Sequence, residues 1–503
     1  MNEIALPGTV LLRCLGWRIG LSKATAMKYP QLNNYIDGTP VAADGELLDV
    51  VSPLNGSLLS RVPMSNRAEL DRAVESAKRA FPAWATKTMQ ERAQVFYRYR
   101  ELLRQNIDEL TTLVHEENGK TPDEARAETL KAIEVTEFAC SLPQWTTGEV
   151  LEVSPGVECR VERKPLGVVA SIVPFNFPVM VPHWTIPIAL ALGNTFILKP
   201  SEQVPLSASR TAELLSEAGL PAGVFNVVHG ERPVVEAICD HPDIRALTFV
   251  GSTKVAKIVY TRATGNLKRA LAMGGAKNHL IVLPDADEAL TAANVAASMA
   301  GCAGQRCMAA ASLIAVGDVD RIIERVCEEA RRFVPGKTLG AVISRQAKQR
   351  IEAYIGEAEQ AGATVLVDGR GAVVPECENG FYVGPTVLDR VRPDMKIAQE
   401  EVFGPVLAII RAADLDEAMA IENASPYGNA AAVYTQTGTL ARQVLDAAEA
   451  GMLGVNIGVP VPREPFGFGG WNDSRFGMGD ITGKSSIEFW TQSKKITTRW
   501  SAD

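Results

Sequence analysis

The first candidate for chemistry is a cysteine in a turn of small residues. Cys307 and Arg306 end a run rich in glycine and alanine that begins at residue 301, and the apolar residues 312–316 behind it predict a strand. A thiol on such a turn can attack a carbonyl carbon, and the charge of Arg306 would favour the thiolate. The alternative is a buried cysteine that serves as a small apolar side chain.

A second candidate is an amide that could stabilise negative charge. Asn176 lies between Pro174-Phe175 and Phe177-Pro178, directly after the apolar run 166–173, which predicts a strand. An asparagine held rigidly past the end of a strand can donate a hydrogen bond to an oxyanion as it develops. Cys307 and Asn176 together would therefore suit attack on a carbonyl carbon.

Three further motifs follow in order along the chain. Residues 193–202 read as a short strand that ends in Lys199-Pro200-Ser201-Glu202, residues 249–253 read Phe-Val-Gly-Ser-Thr, and residues 400–405 read Glu-Glu-Val-Phe-Gly-Pro. With the two motifs above, this set resembles the aldehyde dehydrogenase superfamily from about residue 33 to residue 500. The resemblance implies that Cys307 is the nucleophile, that Asn176 holds the oxyanion, and that the chain is an NAD-dependent enzyme.

The resemblance also implies a binding site for NAD. Lys199 and Glu202 are expected at the adenosine ribose, where Glu202 would repel a 2′-phosphate and so favour NAD over NADP. Gly251 and Ser252 are expected near the phosphates, at the start of a helix whose amides attract anions. Glu401 is expected on the ribose of the nicotinamide. The remaining residues assigned to the cofactor are Phe403, Pro174, Phe175 and Ser201.

One position departs from the hydrolytic members of the family. They carry a glutamate before a Gly-Gly-Lys turn, where it activates water against the thioester, but this chain has Met273 there, or Ala272 if one glycine is inserted. Neither side chain can accept a proton, so another nucleophile must release the acyl group. The wording of residues 275–279 and 304–309 is similar to that of the coenzyme A-acylating malonate and methylmalonate semialdehyde dehydrogenases, in which coenzyme A is the acceptor.

Two features limit this similarity. That group holds its substrate carboxylate with two arginines; Arg306 matches one, but Lys131 stands in place of the other and lacks the planar fork of a guanidinium. The loop 465–475 also resembles hydrolytic members more closely. Arg463 and Arg475 flank it and could help to hold an anion, although ordinary surface arginines are the favoured interpretation of both. Lys131, likewise, could lie on a solvated helix face.

Two other functions stay open at this point. A hydrolytic NAD-dependent dehydrogenase of another anionic aldehyde, such as a sulfonated one, would suit the loop 465–475 and Lys131, whereas Met273 opposes it. A structural protein on a former enzyme scaffold would not need Cys307 or Asn176. Replacement of Cys307 by alanine would separate an enzyme from such a structural protein.

Composition excludes several classes of partner. The formal net charge of -8 argues against a nucleic-acid protein, and no apolar run approaches the length of a membrane-spanning helix. The 8 cysteines and 5 histidines form no close set with metal-site spacing, so we expect no metal. Reduced cysteines in a cytoplasmic enzyme are the simplest interpretation.

Strands with cores at 168–173, 195–198, 224–228 and 246–250 alternate with helices, which predicts an α/β fold. A doubly wound parallel sheet is expected to bind the dinucleotide over residues 29–144 and 165–272, although the usual Gly-x-Gly-x-x-Gly turn is missing. Residues 273–483 are expected to form an α/β catalytic domain. Residues 145–164 and 484–503 are expected to pair as a β-strand arm that joins a homodimer or a homotetramer, because residues 151–163 and 485–498 alternate like strands. Residues 1–28 are expected to be a disordered extension, with Met27 as a possible start.

Overall fold

The structure, a computed structural model, describes residues 27–500. The prediction of a disordered extension over residues 1–28 therefore falls outside the described residues, apart from its last two. Within residues 27–500, no helix is both long and apolar enough to cross a membrane.

The helices lie between the strands of two large sheets. They are α1 Arg67–Ala85, α2 Met89–Gln105, α3 Ile107–Asn118, α4 Pro122–Trp145, α5 Met180–His183, α6 Ile186–Ala191, α7 Leu206–Glu217, α8 Arg232–Asp240, α9 Thr253–Gly265, α10 Glu288–Ala300, α11 Asp320–Arg331, α12 Arg345–Gln360, α13 Lys396–Gln399, α14 Leu415–Asn423, α15 Gly438–Ala447 and α16 Gly483–Phe489.

The strands are β1 Asn34–Ile36, β2 Thr39–Val41, β3 Leu47–Val51, β4 Leu58–Pro63, β5 Glu149–Ser154, β6 Val157–Pro165, β7 Val168–Ile172, β8 Thr195–Lys199, β9 Phe225–Val227, β10 Ile244–Val250, β11 Arg269–Met273, β12 His279–Val282, β13 Ser312–Val316, β14 Thr364–Val367, β15 Thr386–Asp389, β16 Val406–Ala412, β17 Tyr427–Gly428, β18 Ala430–Tyr434, β19 Met452–Val455, β20 Trp471–Asn472, β21 Arg475–Phe476 and β22 Thr491–Arg499.

The first large sheet has eight strands in the order β2-β1-β9-β8-β7-β10-β11-β21. Its five central strands, β9 to β11 in that order, run parallel to one another. Both faces of the sheet are buried: Phe196 and Leu198 enter one apolar core, and Ile197 between them enters another. Because neighbouring side chains on a strand point to opposite faces, helices must cover both sides. The doubly wound sheet predicted from the sequence is confirmed.

The second large sheet has seven strands in the order β14-β15-β16-β13-β12-β18-β19. All neighbouring strands from β15 to β19 in this order are parallel, and β14 pairs antiparallel at the edge. The turn that carries Cys307 lies between α10 and β13, so the centre of this sheet supports it from below. The α/β fold predicted for this part of the chain is confirmed.

Helix starts are fixed by local hydrogen bonds. Thr121 caps α4: its hydroxyl accepts the amide hydrogen of Glu124, and the carboxylate of Glu124 accepts the amide hydrogen of Thr121. Such reciprocal capping satisfies backbone groups that the helix leaves open. It sets the first turn of α4, the helix that carries Lys131 along one wall of the site.

A three-stranded antiparallel sheet in the order β22-β6-β5 projects from the two large ones. The strands predicted for residues 151–163 are present as β5 and β6, but the strand predicted over residues 485–498 begins at Thr491. Residues 483–489 form α16 instead, with Ile487 and Phe489 buried in the main apolar core. Ile487 and Phe489 lie about 200° apart around the helix, and both are buried because this short helix is covered on more than one side.

Candidate active site

The site forms where the loops after three parallel strands meet. Residues 174–176 follow β7, residues 251–252 follow β10, and residues 274–275 follow β11, so all of them leave the same edge of the first sheet. Side chains at the carboxyl ends of parallel strands converge at such an edge. The turn with Cys307 faces this edge from the second sheet.

Cys307 stands between two cavities. One cavity, of about 410 Å³, is lined by α4 and by residues 457–468 and is called the substrate cavity below. The other, of about 530 Å³, is lined by the loops of the first sheet and by α12 and is called the cofactor cavity. Cys307 lines both. A thiol in this position can reach a ligand in either cavity.

The turn before Cys307 is held in a left-handed conformation. Cys302 and Ala303 have φ values of 54° and 52°, a region that residues other than glycine seldom adopt. The Cys302 amide donates to the carboxylate of Glu124 at 2.6 Å, and the Ile343 amide donates to the side chain of Gln305 at 3.0 Å. These two bonds fix the turn from both sides. The carbonyl of Cys307 accepts hydrogen bonds from Asn278 and Asn429, which fixes its end.

Asn176 lies close to this turn. Its buried side-chain amide donates to the carbonyl oxygen of Gln305 at 3.1 Å. The ammonium of Lys120 donates to the carbonyl of Asn176, and Asn118 donates to the carbonyl of Phe175 at 2.7 Å. Asn176 and Cys307 both line the cofactor cavity. The structure thus places the predicted amide donor and the predicted nucleophile on one wall.

Burial decides the protonation of the thiol. It raises the pKa of Cys307 to about 12; the negative charge of Glu401 adds to this rise, and the positive charge of Arg306 opposes it. The effect of Arg306 has the predicted sign, but burial outweighs it. In the free protein Cys307 is therefore a protonated thiol, and its proton must leave before or during attack.

Glu401 is the carboxyl group whose charge contributes to the raised pKa of Cys307. Its Oε1 accepts the amide hydrogen of Ala276 at 3.2 Å, and burial raises its pKa to about 7. Gly275 makes this approach possible, since a Cβ there would lie 2.6 Å from Oε2 of Glu401. Phe403 packs edge-on against Phe175, with 5.8 Å between ring centroids. All of these side chains line the cofactor cavity or its wall.

The predicted phosphate site lies at the start of α9. Ser252 is the N-cap residue of this helix, but its side chain makes no capping hydrogen bond. Amides of the first turn are thus available to an anion, as at other helix starts that bind phosphate. Gly251 and Ser252 line the cofactor cavity.

The predicted adenosine contacts lie further from Cys307. Lys199 donates to Glu202 at 3.0 Å, and the hydroxyl of Ser201 accepts the amide hydrogen of Gln203. Among the described residues that line the cofactor cavity, this segment contributes Gln203 but not these three. The structure therefore brings Cys307, Asn176 and Glu401 together at the cofactor cavity. Lys199, Ser201 and Glu202 lie outside its lining.

The side chain of Arg306 lines the substrate cavity. Nε of Arg306 is buried and has no hydrogen-bond partner among residues 27–500. The guanidinium packs on Gly301, where a Cβ would lie 1.6 Å from Nη2, so a larger residue there would push the guanidinium aside. A buried unpaired donor is costly unless an anion or another acceptor meets it. Arg306 is thus suited to a carboxylate.

Lys131 also lines this cavity, but it is not a free cation. Its ammonium lies 2.8 Å from Glu464 and 3.1 Å from Glu134. The interpretation of Lys131 as a solvated helix face is wrong, because the side chain is 20% exposed and turned to the cavity wall. Sequence reasoning missed Glu464, which lies far along the chain, and no local pattern could have paired it with Lys131.

The two arginines around the loop 465–475 differ. Arg463 lines the mouth of the substrate cavity and is 80% exposed, whereas Arg475 is paired with Asp480 at 3.6 Å and lies outside the lining. Met273, at the position expected for a glutamate, is buried at the end of β11. Gly274 and Gly275 behind it line the cofactor cavity instead.

The chain matches known proteins over nearly its whole length. The model of the aldehyde dehydrogenase family matches residues 41–496. Malonate-semialdehyde dehydrogenase 1 of Geobacillus kaustophilus is 44% identical over 477 residues, which cover 93% of this chain and 98% of the relative. Malonate-semialdehyde dehydrogenase of Halalkalibacterium halodurans is 44% identical over 479 residues, with coverage of 93% and 98%.

Two solved structures share the fold. Methylmalonate-semialdehyde dehydrogenase from Oceanimonas doudoroffii has a TM-score of 0.93 at 40% identity, covering 94% of this chain and 99% of that one. A protein described as a methylmalonate-semialdehyde dehydrogenase from Sinorhizobium meliloti, complexed with NAD, has a TM-score of 0.93 at 41% identity, with coverage of 95% and 99%.

Proposed function

This chain belongs to the aldehyde dehydrogenase family, and we propose that it oxidises a short acidic semialdehyde with NAD and passes the acyl group to coenzyme A. The aldehydes that fit best are malonate and methylmalonate semialdehyde, which would yield acetyl- and propionyl-coenzyme A with loss of carbon dioxide. The family match and the relatives named for these substrates support the class of reaction.

One observation carries the proposal. Cys307 lies between a cavity with an unpaired arginine and a cavity lined by the predicted cofactor residues. A short aldehyde with a carboxylate could place its anion on Arg306 and its carbonyl carbon at the thiol. The carbon that must lose a hydride would then face the cofactor cavity.

The chain's own groups account for the first half of the reaction. The sulfur of Cys307 attacks the carbonyl carbon, and the thiol proton passes to solvent water as the carbon–sulfur bond forms. The side chain of Asn176 and the backbone amide of Cys307 donate hydrogen bonds to the oxyanion. For this, the amide of Asn176 must turn from the carbonyl of Gln305, 3.1 Å away, to the new oxygen. The product of oxidation is a thioester on Cys307.

The cofactor cavity is fitted to a dinucleotide. Glu401 would hold the hydroxyls of the nicotinamide ribose, Phe403 and Phe175 would pack at that end, and Gly251 and Ser252 would meet the phosphates at the start of α9. When bound, NAD supplies the acceptor for the hydride. Lys199, Ser201 and Glu202 are proposed for the adenosine ribose, beyond the cavity wall formed by Gln203.

The second half follows from the missing base. Met273 cannot activate water, and the segment around it offers glycines to the cavity. If the acyl group carries a β-carboxylate, that group leaves as carbon dioxide and the carbon takes up a proton. The thiol of coenzyme A then attacks the thioester carbon, and Cys307 leaves as the thiolate. The acceptor is thus a thiol substrate in place of water.

Product analysis with and without coenzyme A tests this function. Malonate and methylmalonate semialdehyde are supplied with NAD, NADH is followed by absorbance, and the products are identified by mass. We expect steady turnover only with coenzyme A, with acetyl- or propionyl-coenzyme A as product. Steady turnover without coenzyme A that gives the free acid would mean that the hydrolytic alternative is right.

The arm of the fold suggests an assembly of identical chains. Every residue of the edge strand β5 is exposed, and Val150 and Leu151 are each 66% exposed. An open edge strand with apolar side chains is a template for pairing with another strand. We propose a homodimer or homotetramer joined through this arm, which light scattering on the intact chain and on a Leu151→Lys variant would test.

A further inference from the structure

The substrate cavity contains an ion pair whose effect is to cancel a charge. The ammonium of Lys131 contacts the carboxylates of Glu464 and Glu134, at 2.8 Å and 3.1 Å. Glu464 is 10% exposed and lines the cavity, whereas Glu134 is 41% exposed and lies outside the lining. The pair with Glu464 is thus part of the cavity wall, and the pair with Glu134 is on the solvent side.

The remaining charged groups of this wall are already paired or distant. Glu128 is buried against Lys120 at 2.6 Å, and Glu124 accepts backbone amides at the start of α4 and at Cys302. Arg463 is largely exposed and lies 3.7 Å from Glu134. Among the described residues that line the cavity, Arg306 is therefore the cation without a carboxylate partner, since Lys131 is paired with Glu464 and Glu134, and Arg463 with Glu134.

From this arrangement we propose that Glu464 determines substrate charge. By holding Lys131 it leaves Arg306 as the anion-binding group of the cavity and restricts the enzyme to aldehydes with a single anionic group. This inference rests on the proposed function, since it concerns an acidic aldehyde that reacts at Cys307. It adds a specificity residue that the motifs around Cys307, Asn176 and Glu401 do not contain.

The charge of Glu464 repels anionic groups in the cavity. A second anionic group on the ligand would meet the carboxylate of Glu464 before it could reach Lys131, and the ammonium is already neutralised. Like charges a few ångströms apart in a partly buried site repel more strongly than they would in bulk water. Removal of the charge of Glu464 should leave Lys131 paired only with the exposed Glu134, so that its ammonium can attract an anionic ligand in the cavity.

The test compares three ligand charges in three variants. Glu464→Gln keeps the shape of the side chain and removes its charge; Glu134→Gln removes the other carboxylate on Lys131 and is the matched control. The rate at which NADH forms in the first turnover is measured with neutral propanal, with malonate semialdehyde and with phosphonoacetaldehyde, a dianion. The aldehyde concentration that gives half of the maximal rate is called KM in this test. This burst does not require coenzyme A.

We expect Glu464→Gln to lower KM about threefold to tenfold for malonate semialdehyde, and further for the dianion, because a repulsion is replaced by an attraction. Its KM for propanal should stay within about twofold, as should every KM of Glu134→Gln. Adding Lys131→Ala to Glu464→Gln should abolish the gain. The inference is overturned if Glu464→Gln shifts all three aldehydes equally, or none.

A second measurement needs no turnover. Iodoacetamide alkylates Cys307, and malonate or propanoate bound in the cavity should slow that alkylation. Glu464→Gln should improve protection by the dianion malonate more than protection by the monoanion propanoate. Failure of the wild type to oxidise semialdehydes would refute the proposed function, while equal protection of wild type and Glu464→Gln would refute the role of Glu464 alone.

Discussion

The two cavities that meet at Cys307 are built in different ways. The cofactor cavity is made by loops at the ends of parallel strands, with glycines at 251, 274 and 275 and one buried carboxyl group, Glu401. The substrate cavity is made by the side of α4 and by residues 457–468, with charges of both signs on its wall. Glycine backbone forms part of the first wall, and paired charges on side chains form part of the second.

This difference tells where specificity can vary. A wall of backbone and glycine tolerates few substitutions, because a new Cβ at Gly275 would collide with Glu401. A wall of paired charges can change its preference through one carboxylate, as at Glu464 beside Lys131. We therefore expect substitutions to change the preference for the charge of the aldehyde more readily than the preference for the cofactor.

The largest effect is expected where the two cavities share a residue. Cys307→Ala removes the nucleophile and should reduce NADH formation by about 10⁴-fold or more, as the loss of a covalent nucleophile commonly does. Stopped-flow absorbance with malonate semialdehyde and NAD measures this. Cys159→Ala, a partly buried cysteine on β6 outside both cavities, is the control and should keep its burst. A burst in Cys307→Ala would remove that residue from the mechanism.

The next effect should fall on the cofactor side. Asn176→Ala removes one oxyanion donor and should lower kcat by about 10²- to 10³-fold, with a smaller change in KM. The backbone at this position is held by Lys120 and Asn118, so the fold should survive the change. Steady-state kinetics with unfolding temperatures as a check would test this. A loss of less than about threefold would exclude Asn176 as an important oxyanion donor.

Much of the fold could be predicted from the sequence, because local patterns specify it. The strand cores at 168–173, 195–198, 224–228 and 246–250 match β7, β8, β9 and β10 to within about two residues, which is the usual uncertainty of such bounds. The family predicted from the ordered motifs is confirmed. The strand predicted over residues 485–489 is wrong, since a short helix that is buried on more than one side can show the alternation of apolar residues that is typical of a strand. The domain limits stay predictions.

The candidate site divides in the same way as the cavities. Pro174, Phe175, Gly251 and Ser252 follow strands directly, so their motifs predicted which residues line the cofactor cavity. The partners of the substrate wall come from distant segments: Lys131 and Glu464 are 333 positions apart. No periodicity or spacing reveals such a contact, and a lysine in a helix reads equally well as a surface residue. The chemical roles of all these residues stay predictions.

A moderate effect is expected on the substrate side. Arg306→Ala removes the open donor of the substrate cavity and should raise KM for malonate semialdehyde by about 10- to 100-fold, the range for a lost charge-assisted hydrogen bond. KM for propanal should change far less. Equal changes for the charged and the neutral aldehyde would mean that Arg306 acts on the turn around Cys307 and not on the carboxylate.

The smallest effect concerns the one carboxyl group of the cofactor cavity. Below its pKa of about 7 Glu401 is neutral, and above it the carboxylate raises the pKa of Cys307. Rising pH therefore increases the thiolate less steeply around pH 7 than a lone thiol would. Glu401→Gln lacks this negative charge. The rate at which iodoacetamide alkylates Cys307 should therefore equal that of the wild type near pH 6 and be several-fold higher near pH 8.5.

The same variant should bind NAD more weakly, because the proposed contact with the nicotinamide ribose is lost. The variant should therefore show a higher KM for NAD together with faster alkylation only at high pH. A general loosening of the site would instead speed alkylation at every pH. Glu488→Gln, an exposed carboxylate on α16, serves as the control and should follow the wild type at both pH values. A constant ratio of Glu401→Gln to wild type from pH 6 to pH 8.5 would mean that the charge of Glu401 does not govern Cys307.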